Sequence, residues 1–95
     1  MDVIKRMIEL ITNEINEKGT CKLNVSIENK DTFLQNTHDL KVVDVKETQE
    51  TVNLETDLGM TFTIGKNCRQ AKFNECESDY QIIYDNNIDM HLALI

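Results

Sequence analysis

The chain predicts an α+β domain, with an N-terminal amphipathic helix packed on a mostly antiparallel sheet of about five or six strands. Three observations carry this. Apolar residues recur at steps of three and four over the first eighteen positions, as one face of a helix requires. Residues 21–28 alternate apolar and polar with the period of a half-buried strand. Residues 52–64 fold back on themselves in a register that turn chemistry and alternation select independently.

In the first segment Ile4, Met7, Ile8, Ile11 and Ile15 form the stripe, and Val3 and Leu10 widen it. Asp2 suits the N-cap, Glu14 can pair with Lys18 one turn on, and Gly19 can end the helix in the left-handed conformation. Cys21, Leu23, Val25 and Ile27 then alternate with Lys22, Asn24, Ser26 and Glu28. Residues 28–39 stay ambiguous: Asn29 and Asp31 signal a turn, while Phe33 and Leu34 suit a short strand or one helical turn capped by Asp31. A loop with a short strand is favoured. In 40–46 the cluster Val42, Val43 and Val45 breaks strict alternation, marking either a bulge or a strand buried on both faces. It should pair with the strand that begins near Thr51.

The hairpin over 52–64 is the firmest local feature. A type I turn at Thr56-Asp57-Leu58-Gly59, with positive φ at Gly59, sets Leu54 opposite Phe62 and Val52 opposite Ile64 on one face. Asn53 then meets Thr63 and Glu55 meets Thr61 on the other. Residues 66–79 follow no regular pattern; Cys68, Ala71 and Phe73 would anchor a short helix or a loop. At the end, a three-residue loop Asp85-Asn86-Asn87 with Asn87 left-handed places Tyr84 opposite Ile88, Ile82 opposite Met90 and Tyr80 opposite Leu92. The reverse face sets Ile83 beside Asp89 and Gln81 beside His91.

Ninety-five residues without proline or a low-complexity run suit one domain, residues 1–95, with a single aliphatic core. Glu9, Asn13 and Glu14 interrupt what a signal peptide would need as its apolar region, and no run is long enough to span a bilayer. Cys21, Cys68 and Cys76 are an odd number at wide spacings, a poor disulfide framework that reads as small buried hydrophobes in a reducing compartment. A cytoplasmic location is expected, the host cytoplasm if the protein is viral.

Catalytic chemistry is not expected. The chain has no glycine-rich phosphate loop, nucleophile elbow or histidine pair at helical metal-ligand spacing. Cys68 and Cys76 lack the short spacing of a zinc site, and the regular acidic calcium loop is missing. Neither cofactor nor metal is predicted. His38 and His91 read as solvent-facing or hydrogen-bonded residues.

Charge says more. The net charge of −7 disfavours direct contact with nucleic acid or an anionic membrane and favours basic partners. It is concentrated. Asp44, Glu47, Glu50, Glu55 and Asp57 face one Lys46 in residues 44–57, and Glu75, Glu77, Asp79, Asp85 and Asp89 face no lysine or arginine in 73–95. Were residues 75–79 extended, Glu75, Glu77 and Asp79 would project on one side about 6.7 Å apart, a row broadly like the phosphates of a nucleic-acid strand. The predicted function is therefore a small acidic binding protein that inhibits a larger basic partner, most concretely a nucleic-acid-handling enzyme. Its contact residues would be Glu75, Glu77, Asp79, Asp85 and Asp89, then Glu47, Glu50, Glu55 and Asp57. In size, acidity and want of catalytic motifs the chain resembles in general character the small inhibitors that bacteriophages use against host defences, anti-CRISPR proteins among them; no specific motif carries that resemblance. The alternative is a homo-oligomeric or anionic-ligand-sequestering module, with edge strands pairing between chains and Lys66, Arg69 and Lys72 lining a pocket.

Overall fold

The computed structural model describes residues 2–76 and 78–95. It contains one helix, α1 (Val3–Lys18), and seven strands: β1 (Cys21–Asn29), β2 (Leu34–Glu47), β3 (Thr51–Thr56), β4 (Thr61–Gly65), β5 (Gln70–Asn74), β6 (Asp79–Ile83) and β7 (Ile88–Leu94). All pairings are antiparallel, in the order β4-β3-β2-β1-β7-β6-β5.

The helix is capped as its sequence requires. The Asp2 carboxylate accepts from the N–H groups of Ile4 and Lys5 at 3.0 and 3.3 Å. Gly19 at φ 81° donates its N–H to Ile15 O, and Lys18 pairs with Glu14 at 3.1 Å. Ile4, Met7 and Ile11 are buried. They press on one face of the sheet, where Leu23, Val25, Val42, Val52, Leu54, Ile64, Ile82 and Leu92 complete the core.

Both predicted hairpin registers are present. Leu54 opposes Phe62 and Val52 opposes Ile64, with Gly59 at φ 78°. Tyr80 opposes Leu92, Ile82 opposes Met90, and Asn87 is left-handed at φ 57°. The valine cluster of β2 resolves as a bulge: the register against β3 shifts between Val42 and Asp44, so Val42 and Val45 both reach the core while Val43 turns outward.

The strand count differs from expectation because one ambiguous segment is a strand of its own, while another lengthens its neighbour. Residues 34–39 extend β2 into a long hairpin with β1, turning through 30–33 with Phe33 at φ 58°. Residues 70–74 form β5, neither loop nor helix, because β6 supplies its hydrogen-bond partners: Ala71 opposes Ile82 and Phe73 opposes Tyr80. The cysteines also divide. Cys21 is buried as predicted, Cys68 half-buried, and Cys76 exposed in the turn after β5.

The route from β4 to β5 shapes the sheet. These are its two outer strands, yet only residues 66–69 join them. In a flat seven-stranded sheet they would lie about 29 Å apart, whereas the joining backbone reaches at most about 19 Å. The sheet must twist and curl to bring this corner of its two edges together, and there Tyr84 Oη, just past β6, donates to Gly65 O at the end of β4 at 2.8 Å. Helix α1 lies in the hollow, against β1, β2 and β5. No helix is long and apolar enough to cross a membrane among the described residues.

The edge-to-edge bond has a pH signature. Burial, with the neighbouring Cys68, pushes the Tyr84 hydroxyl up to about 12, against about 10 in an unfolded chain. Between those values the folded state keeps a proton that the unfolded state has lost, so stability falls as pH rises through that window. Burial also raises Cys21 and Cys68, which adds a fall of the same sign. Tyr84→Phe should cost about 1 kcal/mol at neutral pH and show a shallower alkaline decline than wild type in urea midpoints measured from pH 8 to beyond 10.

Candidate functional site

With α1 filling the hollow, the outer face of the sheet is uncovered, and its residues follow from alternation and register. β1 contributes Asn24, Ser26 and Glu28; opposite them stand Asp39, Thr37 and Gln35 of β2 on one side and Ala93, His91 and Asp89 of β7 on the other. β6 adds Asp79 and Gln81, and β5 adds Asn74 and Lys72. Few of these are the long charged side chains that keep an idle sheet face solvated. Most are short hydrogen-bonding groups, and they are connected.

Asn74 Nδ2 donates to Asp79 Oδ1 at 2.9 Å and to Gln81 Oε1 at 3.1 Å. Gln81 Nε2 donates to Asp89 Oδ2 at 2.9 Å, which Lys30 Nζ also approaches at 3.1 Å. On the other branch, Asp79 Oδ2 lies 2.9 Å from His91 Nδ1. Two carboxylates are thereby withdrawn from water on a face that covers no core: the Asp89 side chain is 3% exposed and that of Asp79 12%. Burial of this kind is tolerable because both oxygens of Asp79 are paired and Asp89 Oδ2 is held by an amide and an ammonium. Glu28 stands directly opposite Asp89, a like-charge contact that would destabilise the strand pair without the Lys30 ammonium.

Beside this network runs a shallow groove of about 440 Å³, lined by Asn24, Ser26, Glu28, Gln35, Thr37, Asp79, His91 and Ala93. Asn24 is fixed by Asp39 and Ser26 by Gln35, both at 2.8 Å. His91 is held through Nδ1, and its Nε2 has no partner among the described residues. An Asp–His pair near a hydroxyl is also the raw material of acyl transfer. Here Ser26 Oγ is occupied by the Gln35 amide, and the N-terminus of α1, capped by Asp2, lies on the opposite face. The arrangement suits recognition by acceptors better than nucleophilic attack.

The acidic residues singled out from the sequence do not form one surface. Asp79 and Asp89 are buried in the network. Glu47 is paired with Lys66, and Glu55 with Lys46 at 3.3 Å. Glu50, Asp57, Glu75 and Asp85 are exposed near or in four different turns, and Glu77 lies outside the described residues. The phosphate-like row is not formed: Glu75 and Cys76 lie in the turn between β5 and β6, which Ser78 closes at φ 53°, so Glu75 does not continue the strand that carries Asp79.

The three basic residues also separate. Lys66 bends back to Glu47 and to Thr48 O, beside a cavity of about 340 Å³ whose lining includes Asp2, Lys5 and Cys68 but neither Arg69 nor Lys72. Lys72 lies on the outer strand opposite Gln81. Among the described residues, no three His, Cys, Asp or Glu side chains gather as a metal-ligand set. Sequence reasoning missed Asn24, Ser26, Glu28, Gln35, Thr37 and His91 as a group. The signal was present in the pairing of Gln81 with His91, which sets Asp79 on the diagonal.

No family model, curated protein or solved structure matches the chain.

The network makes a measurable demand on Lys30. Lys30→Ala should cost about 1–3 kcal/mol by leaving Asp89 facing Glu28 with only an amide for company. In an Asp89→Asn background, where the buried charge is gone, the same change should cost markedly less. A double-mutant cycle in urea reads the coupling directly.

Proposed function

We propose that this chain is a small non-enzymatic binding protein that engages the basic surface of a larger protein through the uncovered face of its sheet. Inhibition is its effect, and a nucleic-acid-handling enzyme is the most concrete partner. One observation supports this above the rest: the groove lining holds two carboxylates, Glu28 and Asp79, with amide and hydroxyl acceptors, and no lysine or arginine. A lysine or arginine side chain entering it meets acceptors already oriented by their neighbours, so little ordering cost falls on binding. The net charge of −7 speeds encounter with a basic surface and makes it salt-dependent.

This reading moves the contact surface away from the extended acidic row, which is absent, to Glu28, Asp79 and the hydrogen-bonding side chains around them. Exposed acids at the turns, Glu50, Asp57, Glu75 and Asp85, contribute long-range attraction and not specific contacts.

The probe is an unstructured peptide rich in lysine and arginine, titrated into isotope-labelled protein. Amide shifts should concentrate at Asn24, Ser26, Glu28, Thr37, His91 and Ala93 and shrink with added salt. Glu28→Lys should weaken binding about tenfold or more, equivalent to about 1.4 kcal/mol, and Ser26→Arg should block the groove by bulk. Shifts confined to the turn acids, or no saturable binding, would refute the assignment.

A further inference from the structure

β2 is fourteen residues long, and β3 covers less than half of it. Pairing with β3 begins at Val42, and Asp57 N–H donates to Lys41 O at the corner where the β3–β4 turn begins. Beyond that corner, toward Leu34, β2 pairs with β1 alone among the described residues. Lys41 aims its carbonyl away from β1, so by strand alternation the N–H and C=O groups of Gln35, Thr37 and Asp39 point the same way. They form a free hydrogen-bonding edge. Protein sheets usually blunt such an edge with lysine, proline or a bulge, and residues 34–40 contain none of these.

The edge opens onto an apolar notch. In the corner between β2 and the β3–β4 turn lies a groove of about 480 Å³ whose apolar lining is Leu40, Leu58, Met60 and Phe62. Leu58 and Met60 are 81% and 66% exposed, and Leu34, farther along the same edge, is 67% exposed.

We infer that this edge pairs antiparallel with the same edge of a second copy, joining two sheets across a two-fold axis at Thr37. The register follows from the edge itself. With Thr37 on the axis, Thr37 opposes its own counterpart and Gln35 opposes Asp39 of the other copy, so all the outward-pointing residues meet as hydrogen-bonded pairs. Sliding by one step to either side pairs Thr37 with Gln35 or Asp39 and leaves one outward residue opposite Phe33 in its turn or Lys41, which β3 already occupies. On the face toward the helix, the Thr37-centred register sets Leu34 of each copy directly opposite Leu40 of the other, at the mouth of the notch. No two like charges are opposed. The free backbone groups and the exposed leucine are answered by the chain's own sequence, which marks the occupant as a second copy.

Sedimentation velocity over a micromolar-to-millimolar concentration series should show a reversible monomer–dimer equilibrium. Thr37→Pro removes an N–H that faces away from β1, and Leu34→Glu charges the contact; each should shift the midpoint at least tenfold toward monomer, with wild-type circular dichroism. In a Cys76→Ser background, Thr37→Cys should oxidise to a covalent dimer faster than Asn86→Cys, because opposed Cα atoms at about 5.5 Å fall within disulfide reach. Wild type that stays monomeric throughout, a dimer indifferent to both edge variants, or cross-linking no faster than the control would each overturn the inference.

Discussion

The joining of the two outer strands by residues 66–69 constrains everything else. The connection is too short for an open sheet, so β4 and β5 are drawn together and the intervening strands twist and curl with them. Tyr84 Oη on Gly65 O spans the seam, while Lys66, through its N–H on Glu50 O and its side chain on Glu47 and Thr48 O, ties the connection to the β2–β3 turn, and Arg69 N–H on Ile83 O carries it into the β5–β6 ladder. The curl creates a hollow that needs an apolar filling, and the stripe of α1 supplies it. A helix that is modest by itself becomes the plug of an almost closed sheet, touching strands that are distant in the strand order.

That closure also separates the labour of the two faces. The inner face is aliphatic and dry, with Leu23, Val25, Val52, Leu54, Ile64 and Leu92 at 0% exposure. The outer face carries no packing duty, yet it holds Asp79 and Asp89 nearly out of water. Burying carboxylates is unfavourable unless partners are supplied, and here Asn74, Gln81, Lys30 and His91 supply them. The product is a stiff array of acceptors beside a groove, which is the physical basis for reading this face as a recognition surface. The same alternation leaves the far half of β2 with an unanswered backbone edge. Recognition of a basic partner and self-pairing meet at β2: the groove uses the side chains of Gln35 and Thr37 on the outer face, and self-pairing uses their backbone groups at the strand's margin.

Features with local causes were legible in the chain. Asp2, Gly19 and the isoleucine stripe specify α1; Gly59 and Asn87 specify two hairpins whose registers hold residue for residue. β5 was not legible because its identity is conferred from outside: Phe73 remains 46% exposed, and the strand exists through hydrogen bonds to β6 and not through its own apolar pattern. The outer half of β2 was obscure for a related reason, since it lies beyond the core and has no buried face to impose alternation. The candidate site was half visible. Gln81 beside His91 and Ile83 beside Asp89 followed from the β6–β7 register, but the role of β1 and Lys30 depends on a strand order in which β1 sits between β2 and β7. The acidic row failed at Ser78, a non-glycine residue in the left-handed region, which turns the chain where extension was assumed.

The curled sheet requires the end of β4 and the residue that follows β6 to be in contact in solution. Nuclear Overhauser effects between the Tyr84 ring and the Gly65 α-protons test this most directly, because Tyr84 Cε1 lies 3.9 Å from where a β-carbon on Gly65 would stand. Strong cross-peaks between these residues, nineteen apart in sequence, are the expected result. Their absence from a folded spectrum that retains the β3–β4 and β6–β7 cross-strand contacts would mean an open sheet, and the division into a filled inner face and a recognition face would fall with it.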